Sequence, residues 1–420
     1  MTRLDRVATV QARIGWKALT ADEYVDDGHI FLATPNIKGR DIDFENVNYI
    51  STFRYEESPE LKLQLGDVLL AKDGSTLGIA NYVRHLPGPA TVNGSIAVVR
   101  PHGVEPSFLT YWLQGRFIQS RIQELKDGMG VPHLFQQDIR KLPVPDLEPV
   151  EQRRIADFLD DRIARIDRII AARRDQMDHA SAASLRDSFD TVRGSSHSER
   201  RPSGLKWLKT IPSDWALHSV TAEFQVDLGK MLDEKRQFGL HAIPYLRNTN
   251  VQWDRIDLED LKSMDIAPEE RPRYTVEPGD LLICEGGQPG RAAIWPGGLE
   301  PLGFQKALHR ARSRGSSRPE WLLECLRAAT AMNVFAVEYG QATISHLTNE
   351  QLRSFKIPCP EQTVQDELLA QLRITQERAR LAIAGFARSI DLLNEYKQSL
   401  ISAAVTGELD VTTATSGIAG

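Results

Sequence analysis

The sequence predicts an α+β chain of two mixed α/β domains separated by two long antiparallel coiled-coil-like helices, arranged as a pseudo-twofold internal repeat. Three observations predict it. The stretch from Val150 to Val192 carries Ile155, Leu159, Ile163, Ile166, Ile170 and Met177 at the period of about 3.5 to 3.6 that marks one helix face. A second stretch, Thr363 to about Val405, carries a heptad stripe through Leu369, Leu372, Ala379, Ile383, Phe386, Ile390, Leu393, Leu400 and Ala404. Two sets of short motifs recur in the same order at an offset close to 213 residues.

Composition bounds the class. A chain of 420 residues has room for two or three domains, each with its own core. Hydrophobic (41%) and charged (26%) contents are ordinary for a globular protein, which excludes a disordered or fibrous chain. The net charge of -6 does not advertise a polyanion partner, but a local basic patch can sit inside an acidic total. Cys284, Cys325 and Cys359 lack metal-ligand spacing, and an odd number fits a reduced cytoplasmic compartment better than a disulfide framework. The opening MTRLDRVATVQARIGW shows no apolar signal-peptide core, and no run of about 18 apolar residues predicts a membrane span.

In chain order, residues 1–147 read as the first mixed domain. HIFLATPNI, GDVLLAK and SIAVVRP are strands bounded by turn residues, and Pro106 to Leu125 reads as a helix with proline near its start. DGMGVPHLF is a glycine-rich turn, and the prolines of LPVPDLEP keep that segment out of the helix behind it. Residues 148–192 are the central spacer helix; at about 40 residues it spans about 60 Å, longer than a small domain is wide. Residues 193–204 read as a linker, 205–360 as the second mixed domain, 361–406 as the C-terminal spacer helix and 407–420 as a flexible tail. Gln376 and Lys397 interrupt the heptad seam of that second helix.

The repeat pairs Gly66-Asp67 with Gly279-Asp280, Gly74 with Gly287, Pro106 with Pro319, His133-Leu134 with His346-Leu347 and Gln152 with Gln365, all at 213. Asn36 and Ile42 pair with Asn250 and Ile256 at 214, and LPVP with IPCP at 215. Common order at a common offset indicates duplication.

Catalytic signatures are missing: no phosphate loop, no HExxH or CxxC, no GxSxG elbow. Asp160-Asp161 reads as a solvated helix face. The loops KDGSTLG and EGGQPGR each follow a strand without leading into a helix, so they are turns, although glycine also lets backbone N–H groups approach a polyanion. Lys72, Ser75 and Thr76 stand in the first loop, Gln288 and Arg291 in the second. The run QKALHRARSRGSSR contributes Lys306, Arg310 and Arg312 as candidate backbone contacts, with a solvated loop as the bland alternative. TPNIKGRD and RNTNVQWDR occupy equivalent repeat positions and offer Asn36, Lys38, Arg40, Arg247, Asn248, Asn250 and Gln252, side chains able to bond base edges but equally able to cap turns. Asn93, His133, Thr343, Ser345 and His346 complete the candidate set, and no residue is singled out as catalytic or metal-binding.

These motifs together resemble the specificity subunit of type I restriction-modification systems. The resemblance is carried by LPVPDLEPVEQRRIADFLDDRIARID and KIPCPEQTVQDELLAQL, by GDVLLAKDGSTLG and GDLLICEGGQPG, by PSDW and by KQSLISAAVTGELDV, and it covers nearly the whole chain. The first half has only IGWKAL where the second has PSDW, and Glu367-Leu368-Leu369 stands where Arg154-Ile155-Ala156 stands in the first exit. The resemblance implies two target recognition domains, each reading half of a split site in double-stranded DNA. It implies helices that bind two methyltransferase subunits, which recruit endonuclease–translocase subunits, with no membrane involved. S-adenosylmethionine, ATP and magnesium then belong to those partners, and this chain holds no cofactor. Arg165, Arg168 and Arg173 on the central helix are the candidate partner contacts. A self-contained DNA-modifying enzyme and a coiled-coil scaffold with peptide-binding end domains are the rival readings. Inserting four residues, about one helical turn, into both helices should change the spacer between half-sites and neither half-site; methylation mapping that returns the original spacer would count against the ruler role.

Overall fold

The computed structural model describes residues 1–12, 20–126, 132–232, 239–337 and 346–413. IGWKAL, most of the DGMGVPHLF turn, Thr343, Ser345 and the end of the tail lie outside the described residues. The chain divides into two compact units, Met1–Arg173 with Arg388–Gly420, and Arg174–Ala387.

In the first unit the strands of the two four-stranded sheets are β1 (Ala8–Gln11), β2 (Tyr24–Val25), β3 (His29–Leu32), β4 (Asn48–Ile50), β5 (Val68–Ala71), β6 (Ala80–Tyr82), β7 (Ala90–Val92) and β8 (Ile96–Pro101). One sheet is antiparallel in the order β1-β8-β5-β6. The other runs β2-β4-β3-β7, with β3 and β7 parallel. Strands β5 and β8 are apolar at successive positions because both faces are covered. Val68, Leu70, Ala97 and Val99 enter a core with helix α1 (Pro106–Gln114). Leu69, Ala71, Ile96 and Val98 enter another with Leu32, Ile37 and Val92. Successive side chains leave a strand on opposite faces, so a strand between two cores reads as an unbroken apolar run.

The helix expected from Pro106 to Leu125 is two, α1 and α2 (Arg116–Leu125), divided at Gly115. Gly115 is extended (φ -64°, ψ 146°), and a Cβ there would meet Trp112 O at 3.2 Å and Val405 Cγ2 at 3.3 Å. The break lets the turn close against neighbouring atoms that a side chain would crowd.

The long helices are α3 (Pro149–Val192, 44 residues) and, at the C-terminal end, one of 45 residues, Gln362–Thr406. The second unit repeats the plan of the first before that last helix. The strands of its two larger sheets are β9 (Phe224–Leu228), β10 (Ala242–Leu246), β11 (Lys262–Asp265), β12 (Leu281–Cys284), β13 (Ala292–Ile294), β14 (Gly303–Phe304) and β15 (Leu308–Ser313). The order β9-β15-β12-β13 is antiparallel, and β11-β10-β14 contains the parallel pair β10–β14. Leu281 and Ile283 face the core that includes helix α4 (Pro319–Ala331), while Leu282 and Cys284 face a second core. We number the helix Gln362–Thr406 α5.

Each unit contains a segment of both α3 and α5, packed antiparallel. In the first, Ile155, Leu159, Ile163, Ile166 and Ile170 are buried with Leu400, Ile401, Ala404 and Val405. Lys397 Nζ meets Asp167 at 2.7 Å, while Ile155 and Val405 line one cleft further along. In the second, Gln376 Nε2 donates to Ser188 Oγ at 3.2 Å, while Thr191 and Leu368 line one cleft. The two polar breaks in the heptad seam are therefore both partnered on α3. Met177, at the end of the α3 stripe, is half-buried. No helix among the described residues is long and apolar enough to cross a membrane.

The repeated motifs build a repeated polar frame. Gly66 and Gly279 lie at φ +85° and +91°, a region open to glycine. Asp67 accepts a fork from Arg100 (2.7 and 2.8 Å) and the Gln64 N–H (2.8 Å); Asp280 accepts a fork from Arg312 (2.7 and 2.7 Å) and the Glu277 N–H (2.7 Å). Gln152 Oε1 accepts the Glu105 N–H at 2.8 Å and its Nε2 donates to Leu147 O at 2.8 Å. Gln365 accepts the Arg318 N–H at 2.9 Å and donates to Pro360 O at 2.9 Å. Each glutamine thus fastens the start of α1 or α4 to the foot of a long helix. Gln365→Leu strands those backbone groups and should cost the second unit about 1–3 kcal/mol, whereas Leu at exposed Gln371 should stay within about 0.5 kcal/mol; guanidinium midpoints compare the two.

Candidate nucleic-acid interface

Both units build the same corner from four separate stretches. In the first, the Asn93 N–H donates to Leu32 O at 2.8 Å, the Lys72 N–H to Ser95 O at 2.8 Å and the Leu134 N–H to Lys72 O at 2.9 Å. In the second, the Gln305 N–H donates to Leu246 O at 2.9 Å, the Glu285 N–H to Ala307 O at 3.0 Å and the Leu347 N–H to Glu285 O at 2.7 Å. The end of β3 or β10, the glycine loop after β5 or β12, the turn before β8 or β15 and the His-Leu pair are thereby laced together.

The side chains at the two corners differ. In the first, Asp73 pairs with Lys72 Nζ at 3.2 Å and with His133 Nδ1. Lys72 is buried, Ser75 is exposed, and Thr76 Oγ1 donates to Asp73 O at 3.1 Å. Asn93 is half-buried, its Oδ1 accepting the Ser95 N–H at 3.2 Å, and Lys38 and Arg40 are exposed on the stretch after the Thr34–Ile37 turn. In the second, Asn248 Nδ2 donates to Gly286 O at 2.8 Å, and Arg291 Nη2 reaches Asn248 O at 3.1 Å and Oδ1 at 3.3 Å. Exposed His346 lies beside Gly286, where a Cβ would meet its Nδ1 at 3.1 Å. Gln288 and Lys306 are exposed, as is Thr249 at the tip of the Asn248–Asn250 turn. The sequence reading passed over Thr249; only its exposure between two structural asparagines singles it out.

Burial turns several candidates into framework. Asn36 and Asn250 cap their turns, accepting the N–H of Ala33 and Arg247 (2.8 and 2.9 Å) and donating to Asn46 O and Asp257 O (2.8 and 3.0 Å). Arg310 has no exposed surface; it donates to Thr275 O at 2.5 Å, Pro272 O at 3.3 Å and Asp227 at 2.6 Å. Arg312 is held by Asp280 and, at 2.9 Å, by Glu277. Arg247 donates to Asp260 at 2.7 Å and holds that exposed carboxyl below its usual range. Gln252 donates to Thr249 O at 3.0 Å. Of the basic run, Lys306 is the member at the corner. Thr343 and Ser345 are not among the described residues.

On α3, Arg165 and Arg168 are exposed and Arg173 is half-buried. Among the described residues His218, Glu223 and Cys359 bring metal-type donors together. Glu223 already accepts from His218 Nδ1 at 2.5 Å, Ser316 Oγ at 2.6 Å and Ser317 Oγ at 2.8 Å. Burial pushes the Cys359 thiol up to about 12, away from the thiolate a metal takes. His218 and Cys359 belong to the paired strands Ala216–Ser219 and Lys356–Cys359, and the Cys359 thiol donates to Ile357 O at 3.5 Å.

Residues 15–177 match the family model of the type I restriction modification DNA specificity domain. The chain is 22% identical over 421 residues to the type I restriction enzyme EcoKI specificity subunit of Escherichia coli (strain K12), covering 96% of this chain and 87% of that one. The chain resembles the type I specificity subunits. A chain from a structural study of assembly and conformational transition in the type I R-M system superposes with a TM-score of 0.69 at 17% identity, covering 97% of both. The HsdS subunit from Thermoanaerobacter tengcongensis superposes at 0.52 and 17% identity, over 97% of this chain and 96% of that one. The fold is that of these two solved chains, and the stretch matching the specificity domain contains the whole first corner.

His309 supports the second corner from below. It is fully buried, its Nε2 donates to Leu347 O at 2.8 Å, and its Nδ1 has no partner. Burial lowers its pKa, outweighing the Leu347 carbonyl and Glu285, which raise it. The unfolded chain therefore takes the proton first. The stabilisation is complete above the ordinary histidine value of 6.5 and is lost as pH falls through it towards the folded value. Melting temperatures between pH 8 and about 5 should fall more steeply in the native chain than in His309→Gln, which keeps a donor and does not titrate; equal slopes would remove His309 from the acid response.

Proposed function

We propose that this chain is the non-catalytic DNA-recognition subunit of a type I restriction-modification complex. Each unit reads one half of a bipartite double-stranded site. Helices α3 and α5 carry the methyltransferase subunits, through which endonuclease–translocase subunits join. Arg165 and Arg168 on the exposed face of α3, with Arg173, are the proposed contacts to a methyltransferase.

The observation that supports this reading is one frame carrying two sets of tips. The Gly-Asp-Arg fork, the capping asparagine and the backbone lacing recur, while the side chains at the corner do not. Exposed Lys38, Arg40 and Ser75 with half-buried Asn93 and His133 stand in one unit, and exposed Thr249, Gln288, Lys306 and His346 with half-buried Asn248 and Arg291 in the other. A common frame with different donors is the arrangement that reads two unlike half-sites: amides and guanidinium groups pair with base edges, while lysine and backbone N–H groups hold phosphates. The match of residues 15–177 and the similarity to the EcoKI specificity subunit point the same way.

Co-expression with a methyltransferase subunit, followed by mapping of methylated DNA, tests it. A split site is expected, and exchanging residues 205–355 for those of a relative should change one half-site only. Lys306→Ala should weaken binding alike for all sequences and reduce the salt slope by about 1, while Gln288→Ala should relax base preference in one half-site. No salt-sensitive DNA binding in the presence of the methyltransferase would overturn the reading.

A further inference from the structure

In each unit an arginine stacked on an aromatic ring ties the polar loop to a long helix. In the second unit Arg327 of α4 lies over Trp253 at 4.8 Å from the ring centre. It donates to Asp254 at 2.5 Å and to Glu324 at 3.2 Å. Glu324 accepts from Gln376 of α5 at 3.2 Å, and the same Gln376 nitrogen reaches Ser188 of α3 at 3.2 Å. Polar contacts thus run unbroken from the loop to both long helices. Asp254 is the tip of a small hairpin, Val251–Gln252 with Arg255–Ile256, that continues directly from the Asn248–Asn250 turn. It sits at φ +61°, a conformation few residues other than Gly, Asn and Asp accept.

In the first unit Arg84 lies over Tyr82 at 4.0 Å. Its Nη1 donates to Arg40 O at 2.8 Å and to Asn81 Oδ1 at 3.0 Å, and lies 3.7 Å from Asp41. Its Nη2 faces Asp160 of α3 at 3.6 Å, and the Tyr111 hydroxyl of α1 donates to the same carboxylate oxygen at 2.6 Å. Arg84 and Arg327 are not counterparts in the repeat, whose offset is close to 213. The two units reach the same linkage from different elements, so duplication alone does not account for it. The Arg327–Glu324 pair is not a loose surface pair of the kind that contributes little. The side chains of Arg327 and Glu324 are 11% and 6% exposed. A planar fork stacked on a ring is also a geometry that lysine cannot reproduce.

We infer that Arg84 and Arg327 are positioning residues for sequence reading: each locks the loop of its own unit onto a long helix and so presents the loop's tip in one pose. This rests on the DNA-recognition reading above. Its test uses the full chain with its methyltransferase partner and duplexes carrying the mapped site or a single substituted base in one half. Arg327→Met should cut the penalty for a wrong base in the second unit's half-site by about tenfold, within the span of one mismatch, and leave the other half-site's penalty intact. Arg84→Met should do the converse. Arg327→Lys should restore discrimination only in part. Asp254→Asn, at an exposed site that asparagine tolerates, removes one arm without touching the core and should act in the same direction, by about threefold on the same scale. Unchanged penalties in both Arg327→Met and Asp254→Asn, or equal losses in both half-sites, would overturn the inference. A native complex with no sequence-selective binding would instead remove the recognition reading on which it stands.

Discussion

One side-chain amide at the foot of each long helix holds the rest of its unit in place. The first N–H groups of a helix have no partner inside it. Glu105 and Arg318 are the N-cap residues of α1 and α4, and neither caps its helix with its own side chain. Gln152 and Gln365 take up their N–H groups instead, while the amide nitrogen of each glutamine bonds a carbonyl in the approach to its own helix. Both glutamines are buried, so neither end can exchange its partner for water without cost. Helices α1 and α4 in turn pack on one face of the central strands of their units. The amide therefore fixes the pose of the sheet, and of the corner at its end, against the long helix of the same unit.

Buried polar groups explain why the two halves agree where they do. A buried carboxylate without its guanidinium, or a buried amide without both partners, costs more than the pair contributes when complete. Asp67 with Arg100 and Asp280 with Arg312 therefore have to be kept or lost together, and both halves have kept them. The loop tips carry no such penalty. Exposed tip side chains such as Ser75 in one half and Gln288 in the other face solvent, and the buried Lys72 brings its own partner in Asp73, so Lys72-Asp73 in one half can stand where Glu285-Gly286 stands in the other while the backbone bonds between the strands stay the same. A frame that cannot change and tips that can is a physical basis for one fold reading two sequences.

The same distinction decides what was legible in the sequence. Periodicity exposed the long helices, because an apolar stripe is a local signal. The repeat exposed Gly66-Asp67 and Gln152 as landmarks, but not their roles, since Arg100 lies 33 residues from Asp67 and Glu105 47 residues from Gln152. Arg310 reads as an exposed cation in a basic run because its partner Asp227 is 83 residues away, and only the fold closes that distance. Asn36 and Asn250 read equally as base contacts or as turn caps; their buried, doubly bonded amides give them the second role. The corner itself draws on four stretches of chain, so the sequence offered its members without their proximity. The break at Gly115 escaped because its neighbours on both sides are good helix formers, and one of the atoms that a side chain there would crowd, Val405 Cγ2, belongs to the distant end of α5.

The polar breaks in the α5 seam bear on orientation. A wholly apolar heptad stripe packs against another in either direction and at several registers, and a polar residue in the seam removes that freedom. Lys397 finds Asp167 and Gln376 finds Ser188, each within its own unit. A parallel or shifted α3 would set these groups against the isoleucines of its stripe, where an ammonium or an amide has no partner. Lys397 and Asp167 remain 25% and 30% exposed, so the pair keeps part of its hydration and avoids the full cost of a buried ion pair. The seam thus gives up little stability at these two positions, and the antiparallel register is the one that satisfies both.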